Sequence, residues 1–178
     1  MTEAALAPLQ RAQQLAGGAA TAAVVGAVLI VIGAVGREIL PPAAEALRSG
    51  EVTPDLAGVL NFIRAVGAFI VLAVPSFLLA GALLDLSKVL DEYGKGHFFT
   101  LKASAGVRSA AEYALWALGF KIVGSPTIFA WITQEGRGFE WHMEPFDFGL
   151  IGFAAFVAVL GRVLEAAAKI KQENDEIV

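Results

Sequence analysis

Four long stretches of the chain carry almost no charged side chains, and this spacing of charge constrains the fold more than any other feature. Residues 12–36, 65–84 and 148–161 contain no Asp, Glu, Lys or Arg, and residues 113–134 contain only Lys121. A helix needs about 20 mostly apolar residues to cross a bilayer. The pattern therefore predicts four transmembrane helices, at about residues 14–36, 65–84, 113–132 and 146–167.

Composition agrees with this prediction. The 178 residues are 57% hydrophobic and 17% charged, whereas a soluble domain is roughly 45–50% apolar and 25% charged. The absence of cysteine excludes disulfides and thiolate chemistry. The net charge of −4 argues against direct binding of nucleic acid. We predict an all-α fold, with residues 1–178 forming one integral membrane domain built as a four-helix bundle.

Basic residues in the loops predict the orientation of the bundle. If the N-terminus is inside, eight basic residues lie on the cytoplasmic side and four lie outside. We therefore predict a multi-pass protein of the bacterial inner membrane with both termini in the cytoplasm. Residues 85–108, between the second and third spans, then form a cytoplasmic helical hairpin. Residues 94–96 predict the end of its first helix, and Thr100 predicts the cap of its second helix.

On the outer side, the first loop and the third span contain possible interruptions. Pro41 and Pro42 predict an end to the first helix, followed by a short surface helix at residues 43–48. Pro126 follows Gly124 and Ser125 in the third span, and this sequence is typical of a break in a helix.

Two residues inside the spans are candidates for intramembrane function. Lys121 lies near the middle of the third span, where a charge costs at least a few kcal/mol. It belongs to a proton- or anion-linked site, or it snorkels to an interface, or the inner edge of the span lies nearer to it. We favour the last two interpretations because lysine readily reaches an interface. No acidic residue is expected at the same depth in another span, which weakens a transport mechanism. Pro75 lies inside the second span, where it acts either as a hinge or as a static kink. Static kinks are commoner, since membrane helices tolerate proline well.

No residue pattern indicates catalysis or a cofactor. The chain has no phosphate-binding loop, nucleophile elbow or zinc-protease motif. Its two histidines, His97 and His142, are predicted to lie on opposite sides of the membrane and so cannot share a metal or haem. We predict that the protein is not an enzyme and binds no cofactor or metal.

Two segments resemble one family. Residues 96–100 with the following Arg108 resemble the inner loop, and residues 164–178 resemble the C-terminus, of small bacterial four-span proteins known as domain of unknown function 2975. That resemblance implies no catalytic residues. Members of the family are often encoded beside a small helix-turn-helix regulator, which implies by analogy a role in holding or releasing such a protein at the membrane. The candidate partner-binding residues are His97, Phe98, Phe99, Arg108, Glu173, Asn174 and Asp175.

Three functional hypotheses remain open. The first is a non-enzymatic protein, embedded in membrane lipid, whose hairpin (residues 85–108) and tail (residues 162–178) bind a cytoplasmic protein such as that regulator. A second is a small transporter or channel that uses Lys121 and the Pro75 kink. The third is a structural subunit of a homo-oligomer or a larger membrane complex, which uses the glycine-rich first span as its interface.

Overall fold

The computed structural model describes residues 3–48, 56–98, 100–133 and 138–177, and within these ranges the chain is helical with no strand. The described residues form six α-helices and two π-helical turns. The α-helices are α1 (Glu3–Ala34), α2 (Leu40–Arg48), α3 (Leu56–Gly94), α4 (Leu101–Gly119), α5 (Ser125–Thr133) and α6 (Pro145–Ile177). The first π-turn is Val35–Ile39 and the second is Phe120–Gly124.

Within the described part of the chain, four helical segments are long and apolar enough to cross a membrane, as the sequence predicts. They are α1 continued through the first π-turn into α2, then α3, then α4 continued through the second π-turn into α5, and finally α6. Large apolar side chains such as Leu29, Phe153 and Phe156 are exposed along them, as expected for a surface that faces lipid. The prediction of an all-α, four-span membrane protein is therefore confirmed.

Some of these helices are longer than a bilayer is thick. The 39 residues of α3 span about 58 Å, whereas the hydrocarbon core of a membrane is about 30 Å thick. The helix extends beyond the uncharged residues 65–84 at both ends. We call the end of the molecule where α3 meets α4 the hairpin end. The opposite end, where the chain passes from α5 to α6, is called the loop end.

The long helices pack side by side in chain order. The first span packs on α3, α3 packs on α4 and α5, and α4 packs on α6. Over the described ranges, the backbone of α6 approaches neither α1 nor α3. The four spans therefore form a row, and the face of α4 between α3 and α6 is left open.

Each π-turn is followed, after one residue, by proline. In both turns the residue before proline donates its N–H to a carbonyl five residues earlier: Leu40 to Val35, and Ser125 to Phe120. The wider turn fits proline, which lacks the N–H that an α-helical turn needs. The helices consequently continue where the sequence predicts breaks. The prediction of a separate helix after Pro41 is wrong, because α2 begins at Leu40 and includes the prolines.

The hairpin forms as predicted. Helix α3 ends at Gly94, and Gly96 adopts a positive φ of 85° that favours glycine. The Thr100 side chain accepts a hydrogen bond from the Ala103 N–H at 3.1 Å and so caps α4. A buried apolar cluster lies just inside this turn. It contains Val89, Ala103 and Val107, with Tyr93, Val157 and Leu164 packed against it.

Candidate functional site

Lys121 forms an ion pair at the loop end. Its Nζ lies 2.7 Å from Oδ1 of Asp147 and 3.4 Å from Oε2 of Glu144. The Asp147 side chain is 0% exposed, whereas that of Lys121 is 45% exposed. The expectation that no acidic residue lies at the depth of Lys121 is therefore wrong. The lysine is neutralised by a carboxylate at the start of the fourth span.

The chain reaches this depth because residues 138–144, the return segment, fold back along α5 and the second π-turn. Trp131 Nε1 donates to the carbonyl of Gly138 at 2.9 Å. One turn further down, the Thr127 hydroxyl donates to the carbonyl of Glu140 at 2.7 Å and accepts from its N–H at 3.1 Å. Two residues of extended chain rise about as far as one helical turn, so the two segments stay in register.

The last contact of the return segment compensates for a proline. Ile122 precedes Pro126 by four residues, so its carbonyl lacks the usual helical donor. The His142 N–H supplies one at 2.7 Å. This bond holds the His142 backbone beside the helix, while the residue itself stays exposed.

Asp147 has a second role at the start of α6. Its Oδ2 accepts the backbone N–H of Glu144 at 3.0 Å, while its own N–H donates to the Glu144 carbonyl at 2.9 Å. This reciprocal pair resembles a capping box, with Pro145 at the first helical position. One carboxylate therefore caps the fourth span and also pairs with the lysine of the third.

Pro75 lies inside an uninterrupted α3. The carbonyl of Val71, four residues earlier, loses its helical donor to the proline. The Ser125 hydroxyl from α5 donates to that carbonyl at 3.0 Å. The bond ties the second span to the third at this point, and it favours a static joint over a hinge.

Lys121 and Pro75 line the same groove, which has a volume of about 690 Å³. Its floor is the open face of α4, and its walls are α3 and α6. Glu38 of the first π-turn also lines it, and among the described residues its Oε2 is buried without a hydrogen-bond partner. The structure thus brings the two intramembrane candidates together and adds a carboxylate that sequence reasoning did not identify.

At the hairpin end, the hairpin and the tail are joined. Arg108 Nη1 lies 3.2 Å from Oε2 of Glu165 in α6, and its Nε lies 3.4 Å from Glu112. Gly161 brings the two helices close, since a Cβ there would lie 3.0 Å from the Arg108 backbone nitrogen. Leu164 then packs on the buried apolar cluster. The hairpin and the tail therefore pack together as one unit.

The turn of the hairpin is held by its own contacts. Glu92, in the last turn of α3, lies 2.7 Å from Nζ of Lys102 and 3.3 Å from Nδ1 of His97. The ring of Phe98 packs on that of Tyr93, with centroids 5.6 Å apart. Of the other hairpin candidates, Phe99 lies outside the described residues.

The acidic end of the tail continues α6 to Ile177. Glu173 and Asn174 are exposed there. Asp175 lies in the same helix, but its side chain is outside the described part of the structure. The contact that the structure shows between Arg108 and the tail is the ion pair with Glu165.

The sequence profile of a family described as "Protein of unknown function (DUF2975)" matches residues 49–178. The chain belongs to this family. The DUF2975 match includes α3 to α6, and so covers the hairpin, the ion pair of Lys121 and the tail. Neither a curated protein nor a solved structure matches the chain.

Sequence reasoning missed Asp147, Glu38 and Glu165 as parts of these sites. Asp147 had a local signal, because Pro145 followed by an acidic residue two positions later is typical of a helix start. Glu165 was visible only as a partner of Lys169, with which it pairs at 3.2 Å. Glu38 had no such signal, because its burial depends on the packing of the π-turn against α3.

Proposed function

We propose that this DUF2975 protein is a non-enzymatic protein of the bacterial inner membrane that holds a cytoplasmic protein at one surface, made jointly by the hairpin and the tail. The observation that carries the proposal is the Arg108–Glu165 ion pair above the shared apolar cluster. These contacts make one preorganised surface from two segments that are far apart in sequence. Preorganisation lowers the entropy lost on binding.

The tail helix offers a surface suited to a partner. Gly161 and Ala168 are buried toward the bundle. On another face Val163, Ala166 and Ile170 are exposed, with Ile170 at 60%. Their spacing of three and four residues forms one apolar stripe, which is how an amphipathic helix presents its anchors to a groove. A small helix-turn-helix regulator is the partner that the family resemblance favours.

The proposal is tested by tail variants in native membranes. Truncation after Ala168 should leave membrane insertion intact and abolish co-purification of a crosslinked cytoplasmic partner. Ile170→Glu in the full-length chain should have the same effect, because it places a charge in the apolar stripe. Lys171→Ala is the matched control, and it should retain the partner. Unchanged co-purification by the truncated chain would refute the proposal.

A small transporter or channel is a second candidate, and one observation favours it: Lys121 and Pro75 line the same groove. Against it, the Lys121 ammonium is already paired with two carboxylates. Lys121→Met should alter flux of ions in proteoliposomes if the candidate is right. An absence of flux in the parent protein would remove it.

A further inference from the structure

The groove on the open face of α4 is large enough for an organic molecule. Sites for small ligands usually measure about 300–1,000 Å³, and this groove measures about 690 Å³. Ala110, Ala114 and Ala117 recur at helical spacing along its floor. Because these side chains are small and α3 does not approach α6, the floor is low and its walls stand apart.

The groove extends along the spans. Its lining residues on α3 run from Leu72, toward the loop end, to Leu86, toward the hairpin end. Those positions are about 21 Å apart along a helix. Most of the lining is aliphatic, and the two charged residues, Glu38 and Lys121, both lie toward the loop end. A ligand here would therefore have an apolar body and one polar or charged group.

The sign of that charge follows from how the two charged residues are satisfied. Lys121 has its carboxylate partners at 2.7 and 3.4 Å, so the cation of the groove is already neutralised. Glu38 Oε2 is buried and has no hydrogen-bond partner in the described part of the chain. A buried acceptor without a partner is costly and calls for a group that satisfies it.

The formal charge around the loop end of the groove is negative overall, which also favours a positively charged ligand. Lys121 stands against three carboxylates, those of Glu38, Glu144 and Asp147. Arg37, the neighbour of Glu38 in sequence, is exposed and does not line the groove. An anionic headgroup would meet this negative excess and would find the lysine already paired. A cation would interact favourably with Glu38 in surroundings of low dielectric constant.

We propose that the groove is a binding site for lipophilic organic cations, with the charged centre at Glu38 and the apolar body on the alanine floor of α4. The charged centre of the site lies at the loop end, away from the hairpin–tail surface, so the site can be tested independently of the partner-binding function. The site needs only to bind the cation and need not transport it across the membrane. The open side between α3 and α6 lets such a molecule enter from the bilayer.

The test uses a pair of probes with the same shape and opposite charge. Radiolabelled tetraphenylphosphonium should bind the purified, detergent-solubilised full-length chain saturably, with one site per chain. Tetraphenylborate should not compete for this site. Glu38→Gln should weaken tetraphenylphosphonium binding at least about tenfold, because it removes the negative charge that attracts the phosphonium in a poorly solvated site.

Two further variants control for misfolding. Glu45→Gln removes an exposed carboxylate of α2 that does not line the groove, and it should bind as the parent does. Ala114→Leu adds bulk to the half-buried floor and should abolish binding while the size-exclusion profile is retained. Equal binding by Glu38→Gln and the parent, or effective competition by tetraphenylborate, would overturn the proposal. A groove filled by an acyl chain or by a second copy would show no saturable binding, which also overturns it.

Discussion

Asp147→Asn is the substitution that most directly tests the loop end of the structure. Asparagine keeps a side-chain oxygen that accepts the Glu144 N–H, but it removes the charge that faces Lys121. Breaking a buried ion pair by removing one partner costs about 3–5 kcal/mol. Lys121 is 45% exposed and keeps Glu144 at 3.4 Å, so we expect a smaller loss. The free energy of unfolding should fall by about 2 kcal/mol, within the range for hydrogen bonds to charged groups.

The assay is reversible unfolding by SDS in mixed micelles, followed by helical circular dichroism and tryptophan fluorescence. Glu144→Gln is the matched control. That carboxylate is 64% exposed and makes only the longer contact, so its loss should cost less than about 1 kcal/mol. Asp147→Ala should cost about 1 kcal/mol more than Asp147→Asn, because it also removes the cap of α6. Equal stability of Asp147→Asn and the parent, or a larger loss in Glu144→Gln, would refute the assigned roles.

Three other substitutions give further predictions, each measured by the same unfolding assay. Ser125→Ala should lower the free energy of unfolding by about 1 kcal/mol in the parent and by almost nothing in a Pro75→Ala background, where the helix regains its own donor to the Val71 carbonyl. Equal losses in both backgrounds would contradict the proposed bond between the second and third spans. Thr127→Val should cost about 1–2 kcal/mol through two lost hydrogen bonds and should raise hydrogen exchange in the return segment. Gly161→Ala should cost about 1–3 kcal/mol because its Cβ meets the α4 backbone, whereas Gly152→Ala, with open space around it, should be neutral.

The prolines show where sequence reasoning about helices succeeded and failed. The sequence placed Pro75 inside a span, and the structure keeps it there. The breaks expected at Pro41 and Pro126 do not form, because a π-turn precedes each proline and leaves the helix continuous. Proline removes a donor, but whether the chain breaks depends on whether another group satisfies the freed carbonyl. The Val71 and Ile122 carbonyls are satisfied by Ser125 and His142, which are distant in sequence.

Local sequence determined the spans and the turn of the hairpin. Apolar length, the absence of charge, the positive φ at Gly96 and the Thr100 cap each depend on a few neighbouring residues, so their physical consequences can be predicted without a fold. The sequence also indicated Lys121 as the one charge well inside a span, away from its ends. It did not reveal the partner of that lysine, because nothing local shows that residues 138–144 turn back along α5.

Only the tertiary structure decided which charges meet and which surfaces remain open. Lys121 pairs with Asp147 across a folded-back loop, and Arg108 pairs with Glu165 across 57 residues of sequence. The groove exists because α3 and α6 both pack on α4 without approaching each other. Such features arise from the relative positions of helices, which depend on packing between distant residues and not on the pattern within any one helix.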